Sequence, residues 1–142
     1  RVSEMAHVSG ITQIGIRGPG SSNRQDFEDA KAYGSTIIGS REFRQIGSKG
    51  ILERIPKDVK YYITIDCDVL NPALAPGTGS PTPGGLDYYD LTDTLIGIAA
   101  CGDVIGLDFC EVAPMYDLAG ITAMVASRTI VELLAAVFSK NR

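Results

Sequence analysis

Two aspartates separated by one residue, Asp66 and Asp68, follow the β-branched and aromatic run Tyr61-Tyr62-Ile63-Thr64-Ile65. In extended backbone, alternate side chains share a face, so both carboxylates are expected to point the same way. Such a pair repels unless a cation or a proton lies between its members. Hard oxygen donors of this kind suit Mg²⁺, Ca²⁺ or Mn²⁺. The competing reading is a pair of solvated loop aspartates. Against it, Asp66 directly follows an apolar run, which predicts partial burial and favours a metal. A third acid, Glu111, closes a second apolar run that starts at Val104 and continues through Asp108-Phe109-Cys110. In open α/β sheets, functional groups collect at the carboxyl ends of strands.

Two common loop chemistries fail on spacing. A calcium loop counted from Asp66 needs glycine where Asn71 stands and an acid where Gly77 stands. A phosphate loop needs glycine followed by lysine and a hydroxyl residue, a pattern absent here.

The elements that must position these acids alternate between strand and helix. Ile11-Thr12-Gln13-Ile14-Gly15-Ile16 reads as a strand ending in the loop signal Arg17-Gly18-Pro19-Gly20. Residues 26–33 suit a helix stopped by Gly34. Thr36-Ile37-Ile38 is a second strand. Ser48 can cap a helix that runs to about residue 55 and is closed by Pro56. After the Asp66 strand comes a proline- and glycine-rich loop, residues 72–85. A helix over 87–100 and the strand before Glu111 follow it. The last segment, 122–138, is helical and apolar on most faces, as expected for a helix between layers or at a subunit contact. Short connections between alternating elements predict an α/β fold with a mainly parallel sheet. About four strands are few for a complete domain of this type, so the fold is expected to be incomplete. No internal repeat or interdomain linker is visible, and residues 1–142 read as part of one domain.

Composition narrows the function classes. The chain has 142 residues, 44% hydrophobic and 21% charged, enough to build one globular core. Thirteen basic against seventeen acidic side chains give a net charge of −4, and no basic run occurs, so neither nucleic acid nor an anionic membrane is an expected partner. The unbroken apolar stretch near the end, residues 133–138, is too short to span a bilayer. Arg1-Val2-Ser3-Glu4-Met5 lacks the apolar core of a signal peptide. Cys67, Cys101 and Cys110 lack metal or redox spacing and read as buried reduced thiols of a cytoplasmic protein. Tyr61, Tyr62, Tyr88 and Tyr89 are assigned to packing. Cys67, between the two aspartates, should face the core.

The longer motif around the aspartates is more specific than the pair. Ile63-Thr64-Ile65-Asp66-Cys67-Asp68-Val69-Leu70 resembles the first motif of haloacid-dehalogenase-type phosphatases, with Asp66 as nucleophile. The downstream spacing to Asp108 does not fit, and that motif normally opens its domain. Residues 63–86, ITIDCDVLNPALAPGTGSPTPGGL, instead resemble the ureohydrolase signature of agmatinases and arginases: a strand, DxDxxDP, a spacer, PGTG[ST]P and GG. Gln13-Ile14-Gly15-Ile16-Arg17-Gly18 is similar to the family's QIGIRG strand, and Cys110-Glu111-Val112-Ala113-Pro114 to its E-V-N-P segment.

This resemblance implies a three-layer α/β/α arginase-like fold and a site with two Mn²⁺ ions that hydrolyses a guanidinium to urea and an amine. By position, Asp66 would bridge both metals, Asp68 would bind one of them, and Glu111 would face the small guanidino substrate. Bound Mn²⁺ activates water, and a buried carboxylate suits a planar cation. PGTG in place of the arginases' PATG favours an agmatinase-like member, with agmatine the expected substrate. The family usually forms trimers or hexamers, so a homo-oligomer is expected.

The departures carry as much information. Asn71 stands where the family usually has Asp, and Ala113 where it has Asn; Ser80 for Thr is minor. The upstream GGDH and DAHxD motifs, which supply the other ligands, are missing, and His7 matches neither. The chain therefore resembles the C-terminal half of a ureohydrolase, and two aspartates do not build a binuclear site. Alone, it is expected to be inactive. Gly77, Gly79, Gly84 and Gly85 give the loop backbone freedom, for turns or for close approach to a ligand. Arg17 and Arg128 could pair with carboxylates.

Overall fold

A computed structural model describes residues 1–18 and 22–140. Of the predicted loop signal after the first strand, Pro19 and Gly20 lie outside the described residues. The main elements are β1 (Thr12–Ile16), α1 (Arg24–Tyr33), β2 (Thr36–Gly39), α2 (Ser40–Arg54), β3 (Lys60–Asp66), α3 (Tyr88–Cys101), β4 (Asp103–Cys110) and α4 (Ile121–Ser139). Short 3-10 turns cover Val2–Glu4, Cys67–Val69 and Pro114–Tyr116.

The expected strands are all present and parallel, but among the described residues they form two ribbons. β1 pairs with β2, and β3 with β4. The ribbons are joined through side chains. Ile14 of β1 and Ile63 of β3 pack on one cluster around Ile38, Phe43, Ile51 and Ile98. Phe43 and Ile51 are fully buried there, each contributing on the order of 1.5–3 kcal/mol through apolar burial.

Alternation sets the layers. Ile14 and Ile38 face α2. Gln13 and Ile37 face the other way and line grooves with α1 residues such as Ala30 and Phe27. The β1–β2 ribbon thus has helices on both faces, the α/β/α arrangement expected. On β3–β4, Ile65, Leu107 and Phe109 pack against Leu91, Leu95, Val125 and Leu133 of α3 and α4. Tyr62, Thr64 and Asp66 on the opposite side of β3 are exposed. Parallel sheets are normally covered on both faces, so the fold is incomplete on that side.

Helix ends follow the sequence closely. Asn23 with Asp26, and Asp87 with Asp90, form reciprocal capping boxes at the starts of α1 and α3. Gly34 ends α1 in the left-handed conformation, as expected. Helix α2 departs from its prediction. It begins at Ser40, well before Ser48, because Phe43 is buried and anchors an extra arm. Gly47, at φ 61° and ψ −177°, kinks the helix between that arm and the one the sequence reading recognised.

Helix α4 is long and apolar enough to cross a membrane by length and composition alone, although its unbroken apolar stretch is confined to residues 133–138. It packs Thr122, Val125, Ala126, Thr129 and Leu133 inward, while Met124, Val131 and Phe138 remain exposed.

A candidate metal and guanidinium site

β3 delivers Asp66 to the carboxyl end of its ribbon, and β4 delivers Glu111 beside it, since Asp66 and Cys110 are register partners. Asp68 is not on the strand. The backbone leaves extended geometry at Cys67 and forms a 3-10 turn, and the Asp66 carboxylate accepts the Asp68 amide at 3.1 Å. The two carboxylates are therefore brought together by a turn that Asp66 itself caps, and not by strand alternation. Asp66 is exposed and Asp68 half-buried. The predicted partial burial of Asp66 thus fails, because it lies on the uncovered face of β3.

The acids share one electrostatic neighbourhood. Asp68 titrates above the usual carboxylate range, first because of burial and then because of the charge on Asp66, with Glu111 adding to the rise and Arg17 opposing it. The Cys67 thiol points into the core as expected. Its pKa is pushed up to about 11 by burial first, and then by Asp66, Asp68, Asp117 and Glu111.

The glycine-rich loop folds against Glu111. The Ala113 amide donates to the Gly77 carbonyl at 2.8 Å, and a Cβ on Gly79 would stand 3.6 Å from Glu111 Oε2. Glu111 itself has φ 60°, in the left-handed region. Side chains other than glycine occupy that region at a cost of roughly 1–2 kcal/mol. Such strain concentrates at functional positions.

Arg17 reaches into this loop from the end of β1, and its partners are carbonyls rather than the carboxylates considered from sequence. Its guanidinium donates to the main-chain oxygens of Thr82 at 2.7 Å, Pro83 at 3.3 Å, Leu70 at 3.3 Å, Gly15 at 3.3 Å, and Asp68. Arg128 does pair with a carboxylate, Glu132, one turn along α4 at 3.2 Å. Asn71, at the position where Asp is usual, caps a local turn by accepting the Ala73 amide at 3.1 Å.

Two further acids hold positions to which the sequence assigned no role. Asp117 is buried and accepts the Thr122 amide at 3.0 Å and the Ala123 amide at 2.9 Å, so it caps the start of α4. These bonds, that from Ala123 first, hold its carboxyl below the usual range. An acid shortly before a glycine and an apolar helical run was the available signal. Asp108 accepts hydrogen bonds from Thr64 at 2.7 Å and Cys110 at 2.8 Å on the open face of the ribbon.

Other expectations divide. The three cysteines are free, but Cys110 is exposed and Cys101 only half-buried. Tyr61 joins the core, whereas Tyr62 and Tyr89 are exposed, which corrects their assignment to packing. The Tyr88 hydroxyl donates to Glu132 at 2.8 Å. His7 is exposed.

Chemically, Asp66 and Asp68 fit a hard divalent cation, but only as part of its coordination. No group of three or more His, Cys, Asp or Glu among the described residues could hold a metal ion.

Fold and motif agree with the comparisons. The arginase family model matches residues 1–136, and the chain belongs to the arginase family. It is 37% identical over 130 residues to proclavaminate amidinohydrolase from Streptomyces clavuligerus, covering 87% of this chain and 40% of that protein. An agmatinase from Bacillus anthracis is 34% identical over 135 residues, covering 94% of this chain and 44% of that protein. Among solved structures, arginase from Medicago truncatula superposes with a TM-score of 0.77 at 32% identity, covering 96% of this chain and 42% of that one. The fold is therefore arginase-like α/β. The chain spans about two-fifths of the length of the curated relatives it matches. Family membership over residues 1–136 also replaces the phosphatase resemblance.

Proposed function

We propose that this chain contributes the Asp66, Asp68 and Glu111 side of a manganese-dependent ureohydrolase site, which in the whole protein hydrolyses a guanidino compound to urea and an amine. The observation that carries this reading is the gathering of these three carboxylates at one ribbon end, where the nearby Arg17 guanidinium gives its hydrogen bonds to carbonyls. Such a cluster is stabilised by cations. A divalent metal and a guanidinium substrate are both cations of the required kind.

Asp66 and Asp68 would hold Mn²⁺, two ions per complete site, with further ligands from outside the described residues. When bound, Mn²⁺ supplies Lewis-acid activation of water for attack on the guanidinium carbon. Glu111, fixed by β4 and flanked by Gly79, would bind the substrate guanidinium and orient it toward the aspartates. Absence of a Cβ at Gly79 leaves the face of that carboxylate open.

Agmatine is the substrate proposed, on the strength of the PGTG spelling and of the agmatinase among the relatives. A homotrimer or homohexamer in the cytoplasm is part of the same reading, supported by the exposed apolar stripe on α4. A second reading, that residues 1–142 are inactive by themselves, is favoured by the lack of any three-ligand group among the described residues.

The test is urea release by the whole protein with Mn²⁺, across agmatine, arginine and guanidino acids, in parent and Asp66→Ala forms. Urea from agmatine that disappears with Asp66→Ala is the expected result. Urea release that survives the substitution overturns the assignment.

A further inference from the structure

We propose that Arg17 is a positioning residue that locks the Asp68 turn to the loop over Glu111. This proposal rests on the ureohydrolase reading for its consequence, but its geometry stands on the described residues alone.

A guanidinium carries five N–H donors in a rigid planar fork. Here every described partner of that fork is a main-chain carbonyl. Asp68 and Leu70 belong to the turn that presents the Asp68 carboxylate, and Thr82 and Pro83 to the far side of the glycine-rich loop. One side chain thus adds a second tie across a loop whose base is joined by the Asn71–Leu86 and Leu86–Val69 backbone hydrogen bonds. The chain is built to deliver it. The register slips between Ile14 and Ile16, leaving Gly15 as an extra residue at φ 83° in a β-bulge. A Cβ at Gly15 would stand 2.6 Å from Val69 Cγ2, so only glycine lets β1 approach the turn closely enough. The bulge re-aims β1 at its carboxyl end, as bulges beside functional sites do.

The consequence is a mechanical link between the two halves of the site. Fixing the Asp68 carbonyl fixes the start of its side chain relative to Asp66. Fixing Thr82 and Pro83 fixes the loop that carries Gly79 beside Glu111. A lysine at position 17 would keep the charge and about the same reach, but could serve fewer of these carbonyls at once. Outer partners that orient ligands typically change metal affinity by roughly 10–100-fold when removed.

The test compares parent, Arg17→Lys and Arg17→Met forms of the whole protein by amide hydrogen exchange and by Mn²⁺ titration followed by electron paramagnetic resonance. The reporter amides are Asn71, which donates to Leu86, and Leu86, which donates to Val69. Faster exchange confined to residues 68–86 in Arg17→Met, an intermediate rate in Arg17→Lys and Mn²⁺ binding weakened by about 10–100-fold are expected. Unchanged exchange in both variants, or an equal rise throughout α3 and α4, overturns the proposal. If Arg17→Met does not fold, Arg17→Lys decides between the same local acceleration and parent-like exchange. A parent protein that takes up no Mn²⁺ overturns the ureohydrolase reading, while the exchange pattern still decides the clamp.

Discussion

Gly77 lies directly against Asp117: a Cβ built on Gly77 would stand 2.5 Å from Asp117 Cβ and 2.9 Å from Thr122 Oγ1. The Gly77 amide also donates to Thr122 Oγ1 at 2.8 Å. The site loop is therefore seated on Asp117 and Thr122 at the start of α4, and Gly77 is a packing requirement here. Gly77→Ala is expected to destabilise the protein by about 1–3 kcal/mol, the usual range for overpacking a filled site. Urea unfolding would measure it, and a midpoint equal to the parent's would show that the loop can move aside.

Asp117 makes that seat dependent on pH. Its folded-state pKa is held below the unfolded value, chiefly by the Ala123 amide. A depressed carboxyl contributes stability above its unfolded pKa and loses it as pH falls through the folded value. Asp117→Asn should therefore be less stable than the parent at neutral pH, with the gap narrowing below about pH 4. Denaturant midpoints measured from pH 2 to 7 check the direction. A gap that widens in acid would contradict it.

Asp68 has the opposite sign. Burial and then Asp66 raise its pKa, so ionising it opposes folding in the absence of metal. That penalty grows as pH rises from the unfolded toward the folded pKa and persists above it. Asp68→Asn is expected to raise the thermal midpoint of the metal-free protein at neutral pH and to abolish the stabilisation gained on adding Mn²⁺. Differential scanning calorimetry with and without the ion reads both effects. A stabilised variant that still responds fully to Mn²⁺ would remove Asp68 from the ligand set.

Glu111 couples strain to binding. At φ 60°, replacement by glycine should relieve roughly 1–2 kcal/mol of left-handed cost while removing the carboxylate. Glu111→Gly is thus expected to be more stable than Glu111→Ala but equally unable to bind the guanidino substrate. Calorimetry and KM measured in the whole protein separate the two quantities.

The sequence made the placement of Asp66 and Glu111 legible more readily than that of Asp68. The Asp66 and Glu111 positions follow from apolar runs ending in acids, and the structure puts both at the end of the β3–β4 ribbon. The stop at Gly34 is local chemistry and is found as expected. The Asp68 turn was not foreseen, because the carboxylate of Asp66 captures its amide and competes with strand geometry. The partners of Arg17 differ from the carboxylates considered from sequence for a related reason. They are main-chain carbonyls more than fifty residues away at Asp68, Leu70, Thr82 and Pro83, and side-chain type alone does not reveal such partners, whereas Asp117 caps amides only five and six residues on. The exposure of Asp66 and Tyr62 reflects a parallel ribbon whose second face is uncovered among the described residues, which no periodicity within these residues can report.

The measurement that bears most directly on the account is the manganese content of the purified whole protein, by elemental analysis after dialysis against trace Mn²⁺, in parent and Asp66→Asn forms. About two Mn²⁺ ions per active site are expected in the parent, the number of a complete binuclear centre, with a clear loss in the variant. Parent protein that releases urea from a guanidino substrate without taking up manganese, or an Asp66→Asn variant that keeps its full complement, would contradict it.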